Sequence, residues 1–129
     1  MTPEALVSEE IKRVLGSLPD LLLLRNTVGK HHMPDEAKNQ VRTVKHGLGN
    51  GSPDFVCILR DPRGIGVWFC LEVKAPGKES TPDQEKCKRI WSMFGALVYT
   101  VHSAQEAVLA LNDARTKIAI LSAQEAAPE

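Results

Sequence analysis

The first third of the chain carries a helical pattern followed by a strand-like one. Apolar residues recur at helical spacing over residues 3–17, which predicts an amphipathic helix with Ser8 as a candidate N-cap. Residues 21–28 form a strand-like run that Gly29 ends. Residues 30–40 are polar, lack a period and contain a proline, so we predict a loop there. The periodic residues of the helix are Val7, Ile11, Val14, Leu15 and Leu18.

The remainder of the chain alternates between strands and helices. Residues 41–45 alternate weakly, and the glycines at 47, 49 and 51 predict a tight turn after them. Strands over 55–60 and 67–74 flank the turn sequence DPRGIG, which predicts a β-hairpin. Thr81 and Gln84 predict the capped start of a helix that Gly95 ends. A buried strand over 96–101 and a last helix continuing from Ser103 toward Leu121 complete the order.

This order predicts the α/β class, with a mixed central β-sheet flanked by helices. The length of 129 residues and the hydrophobic fraction of 43% suit a single domain over 1–129. We expect its core over about 3–115, and a helix end and frayed tail over 116–129. The longest apolar runs, at 21–24 and 67–71, are far shorter than the ~20 residues of a membrane span, so we expect a soluble cytoplasmic protein.

Charge and cysteine usage exclude several classes of protein. Sixteen basic residues balance sixteen acidic ones, which argues against a polybasic nucleic-acid or membrane binder. Any attraction to phosphate must therefore come from local patches. The cysteines at 57, 70 and 87 form no CxxC pair and lie in apolar or helical stretches, so we interpret them as packing residues in a reducing compartment rather than as a zinc site.

The predicted hairpin brings two acidic residues together. If its turn centres near Arg63, residue 54 lies opposite residue 72 in the antiparallel ladder, so Asp54 faces Glu72. Side chains alternate across a strand, so Glu72 and Lys74 share one face with Trp68 and Cys70. Two carboxylates and a lysine are thus expected at one end of a largely apolar hairpin.

Converging carboxylates on a half-buried face are unfavourable unless a cation neutralises them. Oxygen ligands from Asp54, Glu72 and the backbone carbonyl of Val73 suit Mg²⁺ or Mn²⁺. Lys74 would reach a water molecule or a phosphate oxygen as a donor. This set of groups predicts a site for phosphodiester hydrolysis.

The same residues carry a family resemblance. Gly51-Ser52-Pro53-Asp54-Phe55, then Glu72-Val73-Lys74 and then Gln84 resemble the PD-(D/E)XK nuclease superfamily. The fuller pattern, over residues 8–101, is similar to the VRR-NUC (virus-type replication-repair nuclease) family. Its further parts are a Glu in the first helix and an Arg-Asn pair followed by a Gly, here Arg25, Asn26 and Gly29.

The resemblance implies a Mg²⁺- or Mn²⁺-dependent DNA endonuclease with a PD-(D/E)XK restriction-endonuclease-like core. In it Asp54 and Glu72 are metal ligands, Lys74 assists the attacking water, and Gln84 positions Lys74 or the water. Small members of the family further imply a homodimer, bacterial or phage-encoded, that acts on branched DNA such as Holliday junctions during DNA repair. Arg25 and Asn26 are expected near the phosphates.

The acidic residue of the first helix has two candidates, Glu9 and Glu10. Glu10 lies three residues after Val7 and four before Val14, beside the apolar seam, whereas Glu9 points toward solvent. We therefore expect Glu10 to be the catalytic acid and a further candidate metal ligand. The alternative is that both are acids favoured by the helix dipole.

Local cations supply the nucleic-acid contacts that the net charge does not. Between residues 21 and 52, five cations outnumber two acids, and Lys78 extends the strip beyond the site. A solvated helix face is the alternative for the cations of the second helix. The expected nucleic-acid-binding residues are Arg25, Asn26, Lys30, Arg42, Lys45 and Lys78.

Other interpretations of the site residues stay open at the level of sequence. Gln84 at the third helix position suits an ordinary capping box with Thr81. Glu72 and Lys74 also suit the solvated face of an edge strand, although Trp68 and Cys70 on that face argue against it. The functional alternatives are a catalytically silent module that binds branched DNA, a subunit of a repair complex, and a nuclease that reads a base sequence.

Overall fold

A computed structural model describes residues 1–27, 29–35 and 40–126, and for 29–35, 40–46 and 126 it describes the backbone alone. This part of the chain forms three helices and six strands. In chain order they are α1 (Pro3–Leu15), β1 (Leu21–Leu22), β2 (Gly29–Asp35), β3 (Gln40–His46), β4 (Phe55–Arg60), β5 (Gly66–Val73), α2 (Pro82–Met93), β6 (Leu97–Val101) and α3 (Ala104–Ala126).

The central sheet is mixed, as the sequence predicts. Within the described ranges it has four strands in the order β1-β4-β5-β6. β1, β4 and β5 are antiparallel neighbours, and β6 lies parallel to β5 after the crossover through α2. The α/β class with a mixed sheet and flanking helices is confirmed.

The β4–β5 hairpin has the register that the turn position predicts. Phe55 pairs with Leu71 and Arg60 pairs with Gly66. The same register continued by one residue sets position 54 opposite position 72. The hairpin therefore brings the two predicted acids to the same end of the sheet.

Alternation of side chains divides the sheet into two unlike faces. On one face Phe69, Leu71 and Val73 pack into a core with residues of α1 and α3, such as Ile11 and Leu111. α2 lies on the opposite face, over the side of β5 that carries Trp68 and Glu72. No residue of α2 is itself buried, so this second face is only partly covered by the described chain.

Residues 21–28 form a shorter regular strand than predicted. The ladder is regular at Leu21 and Leu22, and an isolated bridge from Arg25 to Phe55 keeps the same register. Backbone amides of β4 continue to donate to this segment, as from Val56 to the Leu24 carbonyl at 2.9 Å. The segment therefore runs alongside β4 as irregular extended chain; residue 28 lies outside the described residues.

The loop predicted over residues 30–40 is wrong for most of its length. β2 and β3 pair in antiparallel register as a separate two-stranded sheet. Both strands are edges in that sheet, so no alternating apolar face is required, and Pro34 is tolerated at an edge position. The backbone supplies these hydrogen bonds whatever the side chains are, which is why periodicity missed them. Residues 36–39 lie outside the described part.

The start of α1 and the end of α3 differ from the expectation. Thr2, not Ser8, caps α1: its Oγ1 accepts from the Ala5 amide at 3.1 Å, and Ser8 is buried inside the helix. The frayed tail is wrong for 122–126, because α3 continues to Ala126 with Ile118 and Ser122 buried; residues 127–129 lie outside the described range. Among the described residues, no helix has both the length and the apolar character needed to cross a bilayer.

The far end of α3 is expected to contribute to the core. Ile118 is 5% exposed and Ile120 is 53% exposed on the same helix. Ile118→Ala should lower the free energy of unfolding by about 2 to 4 kcal/mol, because it leaves a cavity, whereas Ile120→Ala should change it by less than about 0.5 kcal/mol. Urea unfolding followed by circular dichroism measures both, and equal effects would contradict a packed helix end.

Candidate active site

Asp54 and Glu72 meet at the end of the hairpin. Asp54 stands just before β4, and its Oδ2 accepts a hydrogen bond from the Val73 amide at 2.7 Å. This bond ties the Asp54 carboxylate to the strand that carries Glu72. Glu72 is 5% exposed and Lys74 is 9% exposed, so both residues are largely buried. The interpretation of Glu72 and Lys74 as part of the solvated face of an edge strand is therefore wrong.

The buried carboxyl of Glu72 is electrostatically perturbed. Burial, followed by the charge of Asp54 and a hydrogen bond with it, raises the pKa of Glu72 to about 8. Glu4 raises this pKa further, while Lys74 opposes the shift. The two acids thus interact as neighbours, as the hairpin register predicts, and in the absence of a cation the fold favours a proton on Glu72.

Gln84 links α2 to Glu72. Its Nε2 donates to Glu72 Oε1 at 2.7 Å, and its Oε1 accepts from the Thr81 amide at 2.8 Å. Thr81 Oγ1 in turn accepts from the Gln84 amide, which completes a capping box. Gln84 therefore caps the helix and contacts the site with the same side chain, and its amide reaches a carboxylate rather than Lys74.

Asn26 holds the loop that delivers Asp54. Its Nδ2 donates to the Ser52 hydroxyl and to the Pro53 carbonyl, both at 2.8 Å. Its backbone amide donates to the carbonyl of Asp54 at 2.7 Å. Asn26 is expected from sequence to contact phosphate, but its side-chain amide is engaged inside the protein. Its position supports a role in fixing the Asp54 loop.

Gly51 lets the same loop approach α2. Its φ of 82° lies in the left-handed region, and a Cβ built there would come within 2.6 Å of the Asp83 carbonyl oxygen. Any other residue would push the loop away from the first turn of α2. Gly51 thereby keeps Asp54 close to the turn that carries Gln84.

The helix acid expected at position 10 is not part of this arrangement. Glu10 is exposed and pairs with Arg13, and Glu9 pairs with Lys12. The reason is the helix phase: the fully buried line of α1 runs through Ser8, Ile11 and Leu15, while Val7 and Val14 are only partly buried at its side. The prediction that Glu10 faces the sheet is wrong.

Glu4 is the acidic residue of α1 that sequence reasoning missed. It lies four residues before buried Ser8 and seven before buried Ile11, which is the spacing of one helix face. Glu4 acts on the Glu72 carboxyl electrostatically, and it lines the cleft that Lys74 also lines. The helix face that carries Ile11 and Leu15, when followed toward the N-terminus through the polar Ser8, leads to Glu4.

A cleft of about 610 Å³ opens next to Lys74, and its lining includes the acids Glu4 and Glu79. Arg25, Lys74 and Lys78 line it, so three predicted cations do converge there. The Arg25 guanidinium also lies 5.1 Å from the centre of the Phe55 ring, which orients it. The side chains of Lys30, Arg42 and Lys45 lie outside the described residues.

The donor set fits a hard divalent cation in part. Asp54 and Glu72 provide two carboxyl groups in contact with each other, and the backbone amide of Val73 donates to Asp54. In the part of the chain that the structure covers, no cluster of three or more His, Cys, Asp or Glu side chains is arranged to hold a metal. A bound ion would therefore complete its coordination with backbone, water or phosphate oxygens, as Mg²⁺ commonly does.

No family model, no curated protein and no solved structure matches the chain. A function for the chain must therefore be argued from the geometry of the described residues. The resemblance to the VRR-NUC family rests on the sequence motifs alone.

The pKa of Glu72 predicts how the metal-free protein responds to pH. Because the pKa in the folded chain lies above the ordinary value of 4.5, protonation of Glu72 stabilises the fold at low pH, and this contribution is lost as the pH rises through about 8. In EDTA, the melting temperature should fall from pH 6 to pH 9 by roughly 5 to 10 °C more in the wild type than in Glu72→Gln. Glu79→Gln, at an exposed position, is the control. Parallel curves of melting temperature against pH for all three proteins would contradict the perturbed pKa of Glu72.

Proposed function

We propose that the chain is a divalent-cation-dependent DNA nuclease of the PD-(D/E)XK type and a member of the VRR-NUC family. The observation that carries the proposal is the contact between the half-buried Asp54 and the buried Glu72, next to Lys74, which lines a cleft together with Arg25 and Lys78. A fold has no structural need for a buried carboxyl group in contact with a second, half-buried one, because burial and their repulsion cost stability. Perturbed acids in a cleft are typical of functional sites.

Asp54 and Glu72 are the proposed ligands of Mg²⁺ or Mn²⁺, together with the carbonyl of Val73. When bound, the cation supplies a positive charge that lowers the pKa of water and stabilises the phosphate in the transition state. Gln84 holds one oxygen of Glu72 in place, and Asn26 with Gly51 holds the Asp54 loop. These contacts keep the two carboxylates in one orientation before substrate arrives.

Lys74 is the proposed partner of the attacking water. Lys74 is largely buried, its charge acts on Glu72 and it lines the cleft, so it can orient the water, assist removal of its proton, or donate to the phosphate. Arg25 and Lys78 line the same cleft and are proposed to bind the flanking phosphates. Glu4 is proposed as the acidic residue of the first helix that the sequence pattern expects at the site.

Branched DNA is the proposed substrate, and a homodimer the proposed state, both from the family resemblance. A two-fold dimer would present two sites to the two symmetric strands of a four-way junction. The alternative that the chain only binds branched DNA is weakened by the acid pair, since carboxylates beside phosphate oppose binding unless a cation is present.

Cleavage of DNA by the purified chain tests the proposed activity. With Mn²⁺, Asp54→Asn should cleave plasmid roughly 100-fold or more slowly than the wild type, since one anionic ligand is lost while the Val73 amide keeps an oxygen acceptor. Asp83→Asn, an exposed acid in the first turn of α2, is the matched control and should cleave normally. EDTA should stop the reaction. Cleavage that persists in Asp54→Asn would overturn the site.

A panel of labelled substrates tests the proposed specificity. Four-way junctions should be cut at least about tenfold faster than linear or nicked duplexes of the same sequence, and light scattering should give twice the monomer mass of 14.2 kDa. A mass of 14.2 kDa together with a preference for flaps or ends would contradict a junction-cleaving dimer and indicate a monomer that cuts at a single site. DNA binding without cleavage in Mn²⁺ would instead support the silent binding module.

A further inference from the structure

Two buried polar residues form the floor of the cleft next to Lys74. Ser8 of α1 is 3% exposed and Lys74 is 9% exposed, and both line the cleft. The other charged residues of the lining are exposed and stand at its rim: Glu4, Arg25, Lys78 and Glu79. We refer to Ser8, Arg25 and Lys74 as the donor pocket.

The protein itself satisfies neither polar group on this floor. Within the described chain, Ser8 Oγ makes no hydrogen bond, and Lys74 Nζ makes neither a hydrogen bond nor an ion pair, although its charge acts on Glu72. Ser122 differs, because its unpartnered Oγ is sealed from solvent, whereas Ser8 Oγ stays accessible. A buried donor without an acceptor costs stability. Both groups are therefore available to a ligand in the cleft.

The charges around the donor pocket favour an anionic ligand. The N-terminus of α1, which carries a partial positive charge, lines the cleft through Thr2, Pro3 and Glu4. The Arg25 guanidinium lies over the Phe55 ring and has no hydrogen-bond acceptor in the part of the chain that the structure describes. Three cations of the lining outnumber its two acids, and both acids are exposed at the rim. A phosphodiester oxygen is an acceptor of negative charge that suits all three donors of the pocket.

We propose that the donor pocket holds one phosphate of the DNA strand, and that the Ser8 hydroxyl donates a hydrogen bond to a non-bridging oxygen of this phosphate. Lys74, which follows β5, contacts the same phosphate from the floor, and Arg25 contacts it from the rim. This inference rests on the proposed nuclease function and deepens it, because it adds Ser8 to the residues that touch the substrate. The bound phosphate supplies the acceptor that the fold does not provide.

A purely structural role for Ser8 predicts a different result. Ser8 lies on the buried line of α1 with Ile11 and Leu15, where a small side chain also suits close packing of the helix. Alanine is smaller still and is the best helix former, so it would replace a structural Ser8 without loss of stability or of DNA affinity. Alanine in place of a phosphate-binding Ser8 would keep the stability and lose DNA affinity. The two roles therefore differ in DNA affinity alone.

Fluorescence anisotropy of labelled duplex DNA measures this affinity. We expect Ser8→Ala to bind about tenfold more weakly, the effect of losing one hydrogen bond to a charged acceptor, and to unfold at the same urea concentration or a higher one. All chains carry Asp54→Asn and are measured in EDTA at low salt, which prevents cleavage and removes one negative charge from the site. Ser122→Ala is the matched control, because Ser122 is a buried serine without a partner that lies outside the cleft.

The salt dependence of binding separates Ser8 from the cations of the donor pocket. Arg25→Gln should reduce the slope of log affinity against log salt concentration by about 0.9, because one phosphate loses its cation. Ser8→Ala should weaken binding and leave this slope unchanged, because a neutral donor releases no counterions. Ser8→Cys keeps a side chain of similar size with a weaker donor, so it should bind with intermediate affinity.

The outcomes separate this inference from the nuclease proposal. Weaker DNA binding by Ser8→Ala, without any cleavage by the wild type in Mn²⁺, would support the phosphate contact and contradict the nuclease. Cleavage by the wild type, with equal DNA affinity whether residue 8 is serine or alanine, would overturn the inference and keep the nuclease. Unfolding of Ser8→Ala at a lower urea concentration than the chain with Ser8 would also overturn it, because the hydroxyl would then serve the fold.

Discussion

The candidate site depends on one contact, in which the buried carboxyl of Glu72 lies next to the carboxyl of Asp54. Burial and the neighbouring charge both raise the pKa of Glu72, to about 8. A stable fold tolerates such a pair only when other contacts hold it in place, and functional sites are where such cost is usually found. The proposed cation binding follows from this single unfavourable contact.

The contacts that hold the pair come from three separate parts of the chain. Asn26, from the segment that runs alongside β4, fixes the backbone around Asp54. Gly51 allows that loop to touch α2, and Gln84 at the start of α2 holds Glu72. The same helix then packs Trp91 against Trp68 at its other end. This explains why α2 can matter to the site although none of its residues is buried.

Those features that depend on local pattern could be predicted from the sequence. The turn at Arg63 set the hairpin register, and the register brought Asp54 and Glu72 together. The phase of α1 could not be found in the same way, because its buried line includes the polar Ser8; the apolar pattern therefore favours Glu10 over Glu9 and does not indicate Glu4. β2 and β3 were missed because a two-stranded sheet formed by backbone bonds imposes no apolar alternation. The contacts of Asn26 were likewise invisible, since they join residues 26 positions apart.

Calorimetric titration of the metal-free chain with Mn²⁺ tests the central claim most directly. Binding of a cation by the acid pair predicts uptake of Mn²⁺ by the wild type and by the exposed-site variant Asp83→Asn, and its loss in Asp54→Asn. Absence of Mn²⁺ uptake by the folded wild type, or equal uptake by Asp54→Asn, would contradict a metal site formed by Asp54 and Glu72.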